Sequence, residues 1–196
     1  MENNTREKNV ELFEALLKTV ELERQGMGEL LEFIRKSDFY VAPASTRYHL
    51  AEEGGLLQHS LDVYFALLAE KENHYWKEAL KDVPMGSLLV VSLLHDLCKV
   101  NTYSKREDGK GYDFVNPLPI GHGSKSVALI LRCGFSLTND EMIAITHHMG
   151  AYGLSDYREL MEAYKQTPLA LALCHADMVA THVIERNAPE GRKEEH

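Results

Sequence analysis

Near the start of the chain, apolar residues return every three or four positions: Val10, Phe13, Leu16, Leu17 and Val20. That spacing lays one apolar stripe along an α-helix and predicts an amphipathic helix over 5–24, ended by Gly26 or Gly28. A shorter helix is expected over 28–37. Residues 38–54 have no period and contain Pro43, which predicts a loop. A helix over 56–72, opened by Gly54 and Gly55, comes next. Another over 87–97 is expected to be capped by Ser87 behind Pro84. Two short aromatic-containing stretches flank Asp108-Gly109-Lys110-Gly111 and predict a small β-hairpin near 101–116. Pro117 and Pro119 break the chain before four more helices, over 124–133, 139–148, 156–166 and 168–185. Asn139 and Ser155 are the expected caps of two of these, and Pro168 suits the first turn of the last. The polar tail over 186–196 is expected to fray. The pattern is that of an all-α fold with one minor hairpin. It reads as a single domain over 1–196, with no repeat and no linker.

Composition adds limits. At 196 residues, 44% hydrophobic and 26% charged, the chain fits one domain with a core of its own. No stretch approaches the roughly 20 apolar residues of a bilayer span, so no membrane partner is expected. The charged N-terminus predicts no secretory signal. Cys98, Cys133 and Cys174 are odd in number and lie in apolar contexts, which predicts free thiols in a reducing cytoplasm. The net charge of -9 argues against tracking a long nucleic-acid backbone. Residues 99–132 run the other way: six basic groups face three acidic ones. That local excess is either a solvated loop or an attraction for an anionic substrate.

The chemistry enters where polar residues interrupt apolar helices. His59 lies in the 56–72 helix beside Leu56, Leu57 and Val63. His95 and Asp96 close the most hydrophobic helix. His122 stands between two glycines just before a helix, His147 and His148 end another, and Asp177 sits midway along LALALCHADMVA. One buried histidine would be ordinary, but an unpaired buried carboxylate is costly. Several such groups on different helices share an explanation in a divalent transition-metal site, which offsets carboxylate charge and takes up imidazole lone pairs. Imidazole with carboxylate suits manganese, iron, nickel or zinc; the lack of cysteine at these positions argues against a structural zinc site. His95 and Asp96 point about 100° apart on a helix. At a helix end both can still reach one cation, and the second oxygen of Asp96 can reach another.

The ordered set GGLLQHS (54–60), LLHDLCK (93–99), PIGHGSKS (119–126), ITHHMG (145–150) and HADM (175–178) resembles the HD superfamily of metal-dependent phosphohydrolases. The likeness spans the core 54–178. Within the superfamily it is most similar to the HD domain of bacterial 3′→5′ exoribonucleases, through the GGLL-x-H and HHxG elements. The β-barrel that precedes that domain has no counterpart in the helices expected ahead of His59. The resemblance implies that His59, His95, Asp96 and Asp177 hold a first metal ion. It also implies that His122 with His147, His148 or both completes a second ion bridged by Asp96. A metal-bound water would then hydrolyse a nucleotide, a short oligonucleotide or a similar phosphoester. Lys99, one turn beyond His95, is a candidate phosphate contact or a partner of Asp96, or else an exposed helix-end lysine. Ser124 and Lys125 at a helix start, and more loosely Arg47 and Tyr48, are further substrate-binding candidates. A packed or exposed role is expected for His49, His74, His175 and His182, and buried packing for Cys98. Two other readings stay open: a di-iron oxygenase on the same scaffold, and a non-catalytic nucleotide-binding module.

Overall fold

A computed structural model describes residues 3–46, 49–109, 111–152 and 157–187. Arg47, Tyr48, Lys110, Ser155 and positions 188–196 of the expected tail lie outside the described residues. The architecture is all-α with one small hairpin. The helices are α1 (Asn3–Glu21), α2 (Met27–Lys36), α3 (Gly55–Glu72), α4 (Met85–Leu94), α5 (His122–Arg132), α6 (Asn139–His147), α7 (Tyr157–Gln166) and α8 (Pro168–Val179). β1 (Tyr103–Lys105) and β2 (Tyr112–Phe114) pair antiparallel, with Ser104 opposite Asp113.

The core is built where helices carry no polar face. Leu88, Leu89, Val90, Val91, Leu93 and Leu94 are all buried, so α4 lies inside the bundle on every side. α3 packs against both α4 and α8, and α6 packs against α5 and α8. Histidines on these helices are therefore held in apolar surroundings. Among the described residues no single helix is long and apolar enough to cross a membrane.

Local chemistry sets several boundaries differently from the sequence pattern. Gly26 opens α2 rather than simply ending α1; its φ of 91° is the left-handed turn between the two. α4 begins at Met85 behind Pro84, and Ser87 is buried inside it instead of capping it. It also stops at Leu94, because Asp96 takes φ −102°, ψ 17° and the next three residues tighten into a 3₁₀ turn, Leu97–Lys99. Thr138, not Asn139, caps α6: its side chain accepts from Glu141 N–H, and Glu141 accepts from Thr138 N–H in return. The expected helix over 168–185 is three pieces: α8, a wide π turn over Ala180–Ile184, and a 3₁₀ turn over Glu185–Asn187. Gly55 packs hard against the preceding loop, where a Cβ would lie 2.1 Å from Leu50 O. That contact brings the 49–50 segment down onto the start of α3.

Glu141 does a second job. Its buried carboxylate receives both Arg24 guanidinium nitrogens, at 2.6 and 2.8 Å, which ties the α1–α2 connection to α6. Glu141→Ala should lower unfolding free energy by about 2–4 kcal/mol, since it removes half of the capping box and takes the carboxylate from Arg24, which keeps only Ser136 O and the Phe135 ring. Urea denaturation measures this, and Glu141→Gln should lose less.

Candidate metal centre

His59 projects from the second turn of α3, and His95 follows the last residue of α4. Asp96 sits in the bridge conformation after it, a region of the backbone map common at functional sites. Asp177 comes from α8, and His148 caps the end of α6. These five side chains converge. His59 Nε2 lies 3.3 Å from His95 Nε2, 3.2 Å from Asp177 Oδ1 and 3.6 Å from Asp96 Oδ2. His95 Nε2 lies 3.5 Å from Asp96 Oδ2, and His148 Nε2 lies 3.6 Å from Asp96 Oδ1. His122, the first residue of α5, brings its Nε2 to 2.7 Å from Asp96 Oδ1. Asp96 is thus two-sided: Oδ2 faces His59 and His95, Oδ1 faces His122 and His148.

The outer nitrogens fix which way each ring turns its lone pair. His95 Nδ1–H donates to Ser92 O at 2.8 Å, and His148 Nδ1–H donates to Ile145 O at 2.7 Å. A backbone carbonyl only accepts, so in the neutral rings both Nε2 atoms carry lone pairs directed inward. His59 Nδ1–H donates to Glu185 Oε1 at 2.6 Å, which turns its Nε2 inward as well. Glu185, just beyond the wide π turn, meets the outer nitrogen of His59, while Asp177 meets the inner one. Three inward imidazole nitrogens and two carboxylates therefore meet in a buried space. His148 Nε2 is buried there without a hydrogen-bond partner. Such a donor set fits a divalent cation, and three groups have ligand atoms close enough to hold one: His59–His95–Asp96, His95–His148–Asp177 and Asp96–His122–His148.

Without a metal, a proton must take the cation's place. Burial depresses His59, but Asp177 and Glu185 outweigh it and hold its pKa at about 10. Burial, opposed by Asp96, brings His95 down to about 3. Asp96 is held well below the usual carboxylate range despite its burial, chiefly by Lys99. Burial likewise pushes Asp177 up, and the hydrogen bond to His59 more than reverses it.

Lys99 is neither exposed nor turned outward. With 12% of its side chain exposed, its Nζ donates to Asp96 Oδ2 at 2.6 Å. Ser124 is exposed on the rim of a cleft, whereas Lys125 is buried with Nζ 3.4 Å from Asn116 Oδ1. Of the histidine pair, His148 joins the cluster. His147 instead lines the cleft, its Nε2 3.7 Å from Glu159 Oε1. His175 is exposed and pairs with Glu70 at 2.6 Å, away from the cluster.

Three residues given no place in the site by the sequence lie beside the cluster. His49 stacks 5.0 Å from His59, its Nε2 buried and unpartnered, and forms a further compact group with His59 and Glu185. Glu185 carries no signal because the π turn that positions it is invisible in the pattern. Cys98 is buried, but its Sγ lies 3.3 Å from His122 Nδ1, so each of the four clustered imidazoles has a partner on its outer nitrogen.

Comparison with known proteins bears on this geometry. No family model matches the chain, and no solved structure does. Over 110 residues the chain is 30% identical to a dihydroneopterin 2′,3′-cyclic phosphate phosphodiesterase of Methanocaldococcus jannaschii. The match takes in 55% of this chain and 42% of that protein, so the chain spans less than half the length of the curated relative it matches.

In metal-free protein, His59 should remain protonated at pH 8 while His95 stays neutral at pH 5. Imidazole ¹⁵N shifts read both, and Asp177→Asn should lower the His59 pKa. A raised histidine pKa contributes stability that is complete below about 6.5 and lost as pH rises toward 10, whereas the lowered carboxylates contribute above about 3.9 and lose it as pH falls. Thermal midpoints of the metal-free protein should accordingly decline toward both extremes.

Proposed function

We propose that this chain is an HD-type, metal-dependent phosphohydrolase that cleaves a small phosphoester by attack of water. The observation that carries the reading is the inward set of His59, His95, Asp96, His148 and Asp177, with the His148 Nε2 lone pair left over for an ion. The likeness to a cyclic-phosphate phosphodiesterase supports the reaction class.

His59, His95, Asp177 and Asp96 Oδ2 would hold one divalent ion; Asp96 Oδ1, His122 and His148 would hold a second. Manganese, iron, nickel and zinc all suit these donors. Bound there, such ions supply a nucleophilic water near neutral pH and offset charge on the phosphoryl oxygens. The chain's own part is to orient and to exclude. Ser92 O, Ile145 O and Glu185 hold the rings to one tautomer, and the α4 core keeps bulk water from the back of the site. Lys99 anchors Asp96 so that its two oxygens face different ways. The start of α5 has no side-chain cap, so its first N–H groups are available to a phosphate oxygen beside His122. The basic excess over 99–132, and the exoribonuclease-like elements at 54–60 and 147–150, favour a nucleotide or a related small ester as substrate. Three free thiols suit a reducing compartment.

Purified protein with Mn²⁺ should hydrolyse bis-p-nitrophenyl phosphate, and Asp96→Ala should lower kcat about 10³-fold. Undiminished turnover in that variant would overturn the reading. His148→Ala should cost far more metal affinity than His147→Ala, by calorimetric titration with Mn²⁺. Because the ion displaces a proton from His59, affinity should rise with pH between 6 and 9. Mn²⁺ should also raise the Tm of the wild type, and raise it much less in Asp96→Ala.

A further inference from the structure

Two depressions of useful size lie on the described surface. One, of about 660 Å³, runs between α1 and α2 and is lined largely by charged side chains such as Lys18, Glu29 and Arg35; neither helix carries a cluster residue. The other, of about 380 Å³, lies between the start of α5 and the end of α6. His122 stands in its wall and its Nε2 lies 2.7 Å from Asp96 Oδ1, so one member of the cluster faces this cleft.

The cleft's walls are of two kinds. Near His122 they are small and polar: Gly121, which precedes α5, and Gly123 and Ser124 from its first turn. Farther out they are apolar and flat: Met149, 38% exposed, and Tyr152, 81% exposed. An exposed tyrosine beside an exposed methionine, within reach of a phosphate-handling site, suits a planar ring that stacks on one and slides over the other. Gly123 keeps the cleft narrow, because a Cβ there would meet Ile145 O at 2.2 Å, so α5 and α6 lie against each other at its floor. The outer wall carries Glu159, with 67% of its side chain exposed. A carboxylate there repels a second phosphate. The volume and that charge together admit one nucleoside-sized group and disfavour a continuing strand.

The geometry points to this cleft as the subsite for the organic part of the substrate: a planar heterocycle attached to a single phosphoester, with Met149 and Tyr152 as its stacking surface. The inference rests on the phosphoester reading for the reacting end; the cleft supplies the selectivity. Substrates with the same reacting group but no ring should therefore be poor.

The test compares adenosine 2′,3′-cyclic phosphate with ribose 2′,3′-cyclic phosphate, using the full chain loaded with Mn²⁺. The wild type should prefer the first by about 30-fold in kcat/KM, and Met149→Ala/Tyr152→Ala should cut that preference about tenfold, chiefly through KM. Both positions are solvent-exposed, so the double variant should fold, which its far-UV spectrum and Tm report. Equal kcat/KM for the two substrates, or an unchanged preference in the double variant, overturns the subsite while leaving the hydrolase reading intact. If neither substrate turns over, hydrolysis of bis-p-nitrophenyl phosphate still decides the hydrolase reading, and calorimetric binding of adenosine 2′-phosphate reads the cleft alone. Binding that is weakened at least fivefold in the double variant supports the subsite; absent or unaltered binding overturns it.

Discussion

A positive charge has to sit between the Nε2 atoms of His59 and His95. Both rings give their Nδ1 protons to outer acceptors, Glu185 and Ser92 O, and the two inner nitrogens stand 3.3 Å apart with carboxylates on either side. Two lone pairs at that distance repel, and two buried carboxylates compound the imbalance. A proton held on His59 satisfies the arrangement in part, and a divalent ion satisfies it better, since it also takes up His148. The surrounding architecture serves this constraint. α4 is buried from Ser87 to Leu94, so its end delivers His95 and Asp96 from a packed support, and the Arg24–Glu141 pair fastens the helix that delivers His148.

The His-Asp dipeptide gains its meaning from the way its helix ends. On a continuing α-helix the two side chains would diverge. Here the backbone tightens into a 3₁₀ turn after Asp96, and its carboxylate lies across the helix end, with one oxygen toward each half of the cluster. Lys99, on that same turn, pins the carboxylate by its second oxygen. A segment of five residues thereby provides an imidazole, a two-sided carboxylate and a countercharge, while their partners come from helices far apart in sequence.

Much of this was legible in the chain. All eight helices and the hairpin follow from periodicity and turn residues, because apolar stripes and Gly-Gly or Asp-Gly pairs act locally. His59, His95, Asp96, His148 and Asp177 stood out because each is a polar group in an apolar helix, where burial without a partner is costly. What escaped notice had no such contrast. His49 lies in a loop with no period, so nothing marked it as inward-facing; its position depends on the contact between Gly55 and Leu50. Cys98 reads as one more apolar residue, and only the fold puts His122 beside it. Arg24 and Glu141 stand 117 positions apart, and only the fold joins them.

Glu185 follows Asp177 by eight residues, yet both reach the same imidazole. An unbroken α-helix would set them about 80° apart; the wide turn at Ala180–Ile184 absorbs the difference. The turn works as a ratchet tooth in the chain. Deleting one residue there would swing Glu185 off His59 by roughly a quarter turn. The most damaging change to this site that alters none of its residues is therefore a change of length. Two chains aligned without a gap at this point would pair Glu185 with the wrong neighbour.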